Sequence, residues 1–399
     1  MKKVSMRAIS AVIILLNFLS GCTPPELFPV RDEAALTDRI QAIYDDTSLP
    51  GFTVGIVDEG IPIYQQSFGF QDLEGQVPYT QQTLQPIGSV SKVFIGVATV
   101  KAIQLGYFTL ETPINDILPT PLVNPKARDG VIRVKHLVNH TSGLTNADAT
   151  YTQTYYILEG ESTATEGARY MLDGGIRQRA PKSLGSFLEN YYWAGGEYYT
   201  EDNFTKHLPG AKEVYTNTGA SLMAWLIELA SGVPYQDFLE EHIFMPLGMD
   251  RTSFDYALPG EQYATLYLDE HTPLPRYNLE SFPDGALKTS NDDLMKFLLH
   301  MIAGQRGETT LLFDTRYYQM LFTPTSDDYS IFWGVVGDDL FGHTGGDPGL
   351  GTTLSFQGST AQGVFVLSNY DTSEPTHERY LGRVMGRVDR SIQSYLRNR

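Results

Sequence analysis

The sequence predicts an α+β protein of two lobes, an antiparallel sheet flanked by the two terminal helices and a second, mostly helical lobe. Strand-like runs joined by short turns stand near both ends of the chain, which is the mark of antiparallel pairing. From Leu110 to about Gly285 the periodicity is mostly helical, broken by Pro and Gly. An amphipathic helical pattern lies at each end of the globular part. The simplest assembly joins residues 34–109 and 286–399 into one sheet lobe and leaves 110–285 as the helical lobe. At 399 residues, 42% of them hydrophobic, the chain can bury a large core.

Taken in order, Lys2, Lys3 and Arg7 precede an apolar run from Ala8 to Leu19 that is short for a membrane span and ends in Leu19-Ser20-Gly21-Cys22. This is the pattern of a bacterial lipobox. Residues 1–22 are therefore expected to be a lipoprotein signal peptide, with Cys22, the chain's one cysteine, lipidated and anchoring the protein in a membrane. A plain secretory signal or a short anchor is the alternative. Thr23 follows the cysteine, and by resemblance to Gram-negative lipoproteins this implies the outer membrane of the cell envelope, facing the periplasm. The formal charge is −18; loss of residues 1–21 takes three of the 29 basic residues and none of the 47 acidic ones, leaving −21. So acidic a surface disfavours nucleic acid and anionic headgroups, because phosphate binding needs clustered Lys and Arg. With the single thiol lipidated, disulfides, Cys-ligated metals and thiol nucleophiles are excluded.

Residues 23–33 hold three prolines and read as a tether. Leu36, Ile40, Ile43 and Tyr44 then recur at helical spacing over 34–44. The runs Phe52 to Val57 and Ile61 to Phe68, joined by Asp58-Glu59-Gly60, predict a hairpin. Val93, Phe94, Val97, Ala98, Val100, Ile103 and Leu105 make a helix apolar on most sides, hence buried, with Ser89 on its first turn. In the middle, residues 146–212 hold eight of the 24 tyrosines and Trp193 but no long apolar run. This insertion reads either as an aromatic flap over a substrate cleft or as a surface insertion folded on its own aromatics. Ser221 to Ser231 is a further apolar helix, and Phe244 to Met249 a short turn-bounded segment. Ser290-Asn291-Asp292-Asp293 has the form of an N-cap for a helix over Leu294 to Met301, which makes Lys288-Thr289 a loop entering that helix. Strands are expected at Ile331 to Val336, Leu340 to Thr344, Thr352 to Gln357 and Gly363 to Leu367, with Asp347-Pro348-Gly349 and Gly358 as turns. Tyr380 to Leu396 closes the chain as an amphipathic helix with several Arg outside.

Gly88-Ser89-Val90-Ser91-Lys92 carries the chemistry. Three residues apart on a helix, the Ser89 hydroxyl and the Lys92 amine emerge on one face, a nucleophile beside a base. Burial depresses a lysine toward the neutral form, and a helix N-terminus stabilises negative charge on an acyl oxygen. A lone Ser-x-x-Lys is weak, arising roughly once or twice by chance in such a chain. Two further elements support it. Tyr215-Thr216-Asn217 offers a phenol that an ammonium could acidify and an amide that could orient Lys92 or a carbonyl. His343-Thr344-Gly345-Gly346 sits on a late strand, where glycines allow close approach of an acyl group and a second oxyanion N–H.

Ser-x-x-Lys, Tyr-x-Asn and [Lys/His]-Thr-Gly, in that order, resemble the serine β-lactamase and penicillin-binding protein family in its class C-like branch. That branch holds class C β-lactamases, D-alanyl-D-alanine carboxypeptidases, D-aminopeptidases and esterases. Leu49-Pro50-Gly51-Phe52, His140-Thr141-Ser142-Gly143-Leu144, Phe244-Met245-Pro246-Leu247-Gly248-Met249 and Leu367-Ser368-Asn369 extend the resemblance over most of the chain. It implies a site between two lobes, with Ser89 acylated, Lys92 assisting its deprotonation and Tyr215 as general acid/base. It further implies that Asn217, His343 and Thr344 position substrate, that Asn217 positions Lys92, and that the Ser89 and Gly346 N–H groups bind the oxyanion. His343 departs from the Lys usual in β-lactamases and carboxypeptidases; neutral at pH 7, it would steer no carboxylate, as in the esterase and peptidase-like members. The 126-residue gap from Ser89 to Tyr215 is long for the family, and the insertion accounts for it.

The expectation is a serine hydrolase acting on a small ester, amide or peptide through an acyl-enzyme, with no cofactor and no metal. The rivals are a D-alanyl-D-alanine carboxypeptidase or β-lactamase, and a non-catalytic binding or sensor lipoprotein. His136 and His140 read as residues of a structural turn, not as metal ligands.

Overall fold

The computed structural model describes residues 29–256, 258, 262–337 and 339–399. Cys22 and the lipobox lie outside them. Among the described residues no helix is long and apolar enough to cross a membrane.

The first helix, α1 (Glu33–Asp45), starts where Asp32 caps the Ala35 N–H and buries Leu36, Ile40 and Ile43. β1 (Gly51–Asp58) and β2 (Ile61–Asp72) follow as a hairpin whose corner, Glu59-Gly60, has φ of +51° and +76°. Two left-handed residues twist the corner as paired strands require. After the short β3 (Val77–Pro78) and β4 (Gln85–Pro86), α2 (Ser91–Gln104) runs buried from Ser91 to Val100. The middle of the chain supplies α3 (Val134–Val138), α4 (Asp148–Tyr151), β5 (Tyr155–Ile157), α5 (Glu166–Asp173), β6 (Arg177–Gln178), α6 (Leu184–Tyr192), α7 (Asn217–Ser231), α8 (Tyr235–Leu239), α9 (Met245–Leu247) and β7 (Tyr277–Leu279). Then come β8 (Lys288–Thr289), α10 (Asn291–Gln305), α11 (Thr315–Phe322), β9 (Gly334–Val336), β10 (Leu340–Asp347), β11 (Leu350–Gln357), β12 (Gln362–Ser368) and α12 (Pro375–Asn398).

The main sheet has the order β3-β2-β1-β12-β11-β10-β9, each pair antiparallel. Phe52 opposite Ser368 and Val57 opposite Gly363 fix the register by which the two ends of the chain meet. β1, beside the central β12, is buried along nearly its whole length. One face of the sheet carries α1 and α12, closing a core of Ile40, Phe52, Val54, Tyr64, Val366, Val388 and Ile392. The opposite face meets α10, and beyond it α2 and α7 fill the larger core around Phe94, Phe297, Trp333 and Phe356. Among the described residues, no strand of this sheet comes from 110–285.

Several local expectations need correction. Lys288-Thr289 is not a loop: it pairs with Gln85–Pro86 as a small two-stranded ladder, tying the stretch before the nucleophile to the start of α10. The Ser290 cap does hold, accepting the Asp293 N–H at 3.2 Å, but the helix starts at Asn291 and runs to Gln305. The strand expected from Ile331 begins only at Gly334, because Phe332 turns at φ +58° to donate its N–H to the Val138 carbonyl. β10 extends past Thr344 to Asp347, so the turn proper is Pro348-Gly349, with Gly349 at φ +79°. The aromatic insertion is folded on its own aromatics, one of the two readings above: Tyr191, Tyr192, Phe187 and Phe204 are buried against one another, while β5 pairs with β7 and its Tyr155 hydroxyl donates to Asp347 at the end of β10.

Candidate active site

Ser89 sits in a single 3₁₀ turn, Gly88–Val90, that leads into α2. From Thr83 to Val100 it is the one residue that is not buried. Gly88 has φ +54°, and a Cβ there would lie 2.9 Å from the Gly346 nitrogen; one on Gly345 would lie 2.2 Å from the Ile87 carbonyl oxygen. The glycines of the late strand thus bring β10 against the nucleophile turn, in addition to leaving room for an acyl group. In β10 and β11 the two-residue turn makes Asp347 and Leu350 the hydrogen-bonded pair, and Gly346 lies opposite Gly351 in the next, unbonded position. Since β9 reaches only to Gly342, the Gly346 N–H points off an open strand edge toward the Ser89 turn.

Lys92 is fully buried, and its Nζ donates to Ser89 Oγ at 2.9 Å and to the Asp284 carbonyl at 2.6 Å. Burial lowers it to about 8, with Asp284 and Asp347 pulling the other way. Roughly one molecule in ten then carries a neutral Lys92 at pH 7. Tyr215 stands immediately before the Thr216 cap of α7, and its ring faces Lys92 Nζ at 5.2 Å from the centroid. Its hydroxyl is not acidified as expected. Burial raises it well above 10, and the proximity of Ser89 offsets this only in part. Tyr215 therefore keeps its proton in the resting site.

Asn217 is anchored by its backbone N–H on Asn146 Oδ1 at 3.1 Å, while its own Oδ1 has no partner, so the acceptor that holds Lys92 is the Asp284 carbonyl and not Asn217. His343 lies with its ring centroid 6.1 Å from that of Tyr215 and donates Nδ1–H to the Thr344 carbonyl at 2.6 Å. Burial first, and Lys92 second, lower it to about 3, so it is neutral with an acceptor lone pair on Nε2. Thr344 and Gly346 are partly exposed on the same edge. Among the described residues thirteen buried side-chain polar atoms lack a partner, and five belong here: Tyr215 Oη, Asn217 Oδ1, His343 Nε2, His140 Nε2 and Asn146 Nδ2. These five stand around the Ser89–Lys92 pair, where they can meet the polar groups of a substrate.

His140, read above as part of a turn, is a wall of this cleft. At φ +57° it packs its ring 4.6 Å from Tyr215 and 4.8 Å from Tyr329, and Nδ1 accepts the Thr216 N–H at 3.3 Å. Sequence reasoning also missed Asp284 and Asp347, two buried carboxylates that act on Lys92. Following β10 one residue past its glycines would have flagged Asp347; nothing in the local sequence flags Asp284. His136 stays a helix-start residue, accepting the Arg133 N–H at 3.1 Å. Among the described residues no group of three His, Cys, Asp or Glu side chains could hold a metal ion.

Residues 36–384 match the Beta-lactamase family. A beta-lactamase of Yersinia enterocolitica is 22% identical over 298 residues, covering 72% of this chain and 66% of that protein. Esterase EstB of Burkholderia gladioli is 25% identical over 245 residues, covering 60% of this chain and 56% of the esterase. The chain thus spans less than two thirds of the length of these relatives. In three dimensions the octameric penicillin-binding protein homologue of Pyrococcus abyssi superposes with a TM-score of 0.67 at 23% identity, over 88% of this chain and 77% of the homologue, a likeness of fold. Match and geometry together place the chain in the Beta-lactamase family.

Proposed function

We propose that the protein hydrolyses a small ester, or an amide or peptide of similar size, through an acyl-enzyme on Ser89. The observation that carries this is the 2.9 Å hydrogen bond between a buried, partly neutral Lys92 and the one solvent-reaching residue of its segment. Neutral Lys92 takes the Ser89 proton as Oγ bonds to the carbonyl carbon. The N–H groups of Ser89 and Gly346 hold the resulting oxyanion. Tyr215, still protonated, gives its proton to the leaving oxygen or nitrogen as that bond breaks, and recovers it from the Lys92 ammonium. Water then repeats the sequence on the acyl carbon and frees Ser89.

Neutral His343 favours substrates without a carboxylate at that position. It offers an acceptor where a lysine would offer a cation, so acyl groups flanked by a hydroxyl or amide N–H suit it better than the carboxylates of β-lactams and peptide C-termini. The test is to compare kcat/KM for an aryl ester and a chromogenic β-lactam, in wild type and in His343→Lys. A clear preference for the ester, shifted toward the β-lactam by His343→Lys, is expected; comparable turnover of both by the wild type would support a β-lactamase or carboxypeptidase instead.

Residues 1–22 support a further proposal, that Cys22 carries a lipid anchor in the cell envelope. Val30 then fixes the tether to the globular part, its N–H donating to Ser394 Oγ of α12 at 3.0 Å.

A further inference from the structure

Two buried carboxylates beside Lys92 take no part in the reaction just described. Asp284 gives Lys92 its backbone carbonyl, while its carboxylate accepts Ser221 Oγ at 2.9 Å and the Tyr151 hydroxyl at 3.4 Å. Asp347 closes β10, and its Oδ1 accepts the Tyr155 hydroxyl. A Cβ built on Gly285 would stand 3.2 Å from Asp347 Oδ2 and 3.8 Å from the Gly88 carbonyl carbon. This carboxylate therefore lies one glycine away from the nucleophile turn. Tyr151 and Tyr155 belong to the aromatic insertion, their rings nearly perpendicular at 5.8 Å, and β5 is held in place by its pairing with Tyr277–Leu279.

The groups that face Lys92 are few. Ser89 comes from the 3₁₀ turn, Tyr215 from the start of α7, His140 from the turn after α3, Asp284 from the turn before β8, and His343 and Asp347 from β10. Both histidines are held neutral by burial and by Lys92, and Tyr215 is held protonated. The aspartates are thus the negative charges that act on the ammonium. Asp347 in turn faces Tyr155, Asp284, Lys92 and, from the loop before α12, Asp371; burial raises it to about 7 against the pull of the Tyr155 hydrogen bond.

We propose that Asp347 and Asp284, held by Tyr155 and Tyr151, are positioning residues that set when Lys92 gives up its proton, so that the aromatic insertion fixes the pH range of acylation. The proposal rests on the serine-hydrolase reading above. An adjacent carboxylate favours the ammonium, so removing it frees the proton at lower pH. The Tyr155 hydroxyl favours ionised Asp347; without it Asp347 stays protonated to higher pH, and Lys92 loses part of the same support.

The test uses the full chain labelled with ¹³C-lysine, its Lys92 resonance identified by its loss in Lys92→Arg and followed by NMR against pH. The rate at which a fluorophosphonate labels Ser89 is measured over the same range. Asp347→Asn is expected to move both the Lys92 midpoint and the acid limb of labelling down by about one pH unit, and Tyr155→Phe to move both the same way by less. A midpoint that stays put or rises in both variants overturns the proposal, as does a fall in labelling at every pH without a shift, the mark of a merely structural role. Should Asp347→Asn fail to fold, Tyr155→Phe, which removes one hydroxyl, decides alone. A wild type whose Lys92 titrates but whose Ser89 takes no label would contradict the hydrolase reading, while the NMR midpoints still judge the proposal.

Discussion

At Ser89 the hydroxyl is hydrogen-bonded to Lys92, and Lys92 can take its proton only when neutral. Its folded value of about 8 puts the acid limb of kcat/KM near pH 8, with activity falling as pH drops below it. Lys92→Ala should cost roughly 10²- to 10⁴-fold in kcat and remove that limb, read from a pH profile of ester hydrolysis. His343 should add no limb of its own above about pH 5, since burial keeps it neutral there. Ser89, Lys92, Tyr215 and His343 were legible in the sequence because each stands in a short motif whose spacing is local. Asp284, Asp347 and His140 were not, because what makes them matter is tertiary proximity. Asp347 sits two residues past the Gly345 whose bareness lets β10 meet Ile87. The expectation of an acidified Tyr215 failed for a related reason: Lys92 was legible nearby, but the burial that raises the phenol, with Asp284 and Asp347 adding to it, is a property of the fold.

The elements that build the site are held by small residues and caps. Gly345→Ala would place a methyl 2.2 Å from the Ile87 carbonyl oxygen, a backbone atom that cannot swing aside. It should lower activity far more than it lowers the unfolding midpoint, since it displaces the oxyanion edge from the nucleophile; equal turnover in Gly345→Ala would contradict this geometry. Ser290→Ala removes the cap of α10 and should cost about 1 kcal/mol in denaturant unfolding with little change in kcat. The hairpin of β1 and β2, the buried α2, the Ser290 cap and the amphipathic terminal helices were legible from period and turn chemistry. β8 was not: two residues carry no periodicity, and Lys288 reads as polar although it is fully buried, its Nζ donating to the carbonyls of Phe254 and Ala286. Nor was the packing of the aromatic insertion, whose tyrosines follow no regular period, six of the eight standing in the adjacent pairs Tyr155-Tyr156, Tyr191-Tyr192 and Tyr198-Tyr199.

For the molecule as a whole, buried neutral histidines tie stability to pH. His343 and His300 fold at about 3 and about 4, below their ordinary 6.5, so each contributes stability above pH 6.5 that is lost as pH falls through that window. Asp347, raised to about 7, has the opposite sign and gains stability for the fold as pH falls from 7 toward 4. His343→Gln should therefore flatten the acid side of the stability curve by up to about 1.4 kcal/mol per pH unit, measured by urea unfolding at pH 6.5 and 4.5. An unchanged slope would place that proton elsewhere. The joining of both chain ends in one sheet was legible, because strand runs with short turns flank a helical middle. How that middle reaches the carboxylates beside Lys92 through Tyr151 and Tyr155 was not.

Ser89 as the acylated residue underlies every other inference. Intact-mass analysis after treatment with a fluorophosphonate tests it most directly. Wild type should gain the mass of one phosphonyl adduct, more slowly below pH 8, and Ser89→Ala should gain none. An adduct that persists in Ser89→Ala, or wild type that stays unmodified at pH 8 and above, would contradict it.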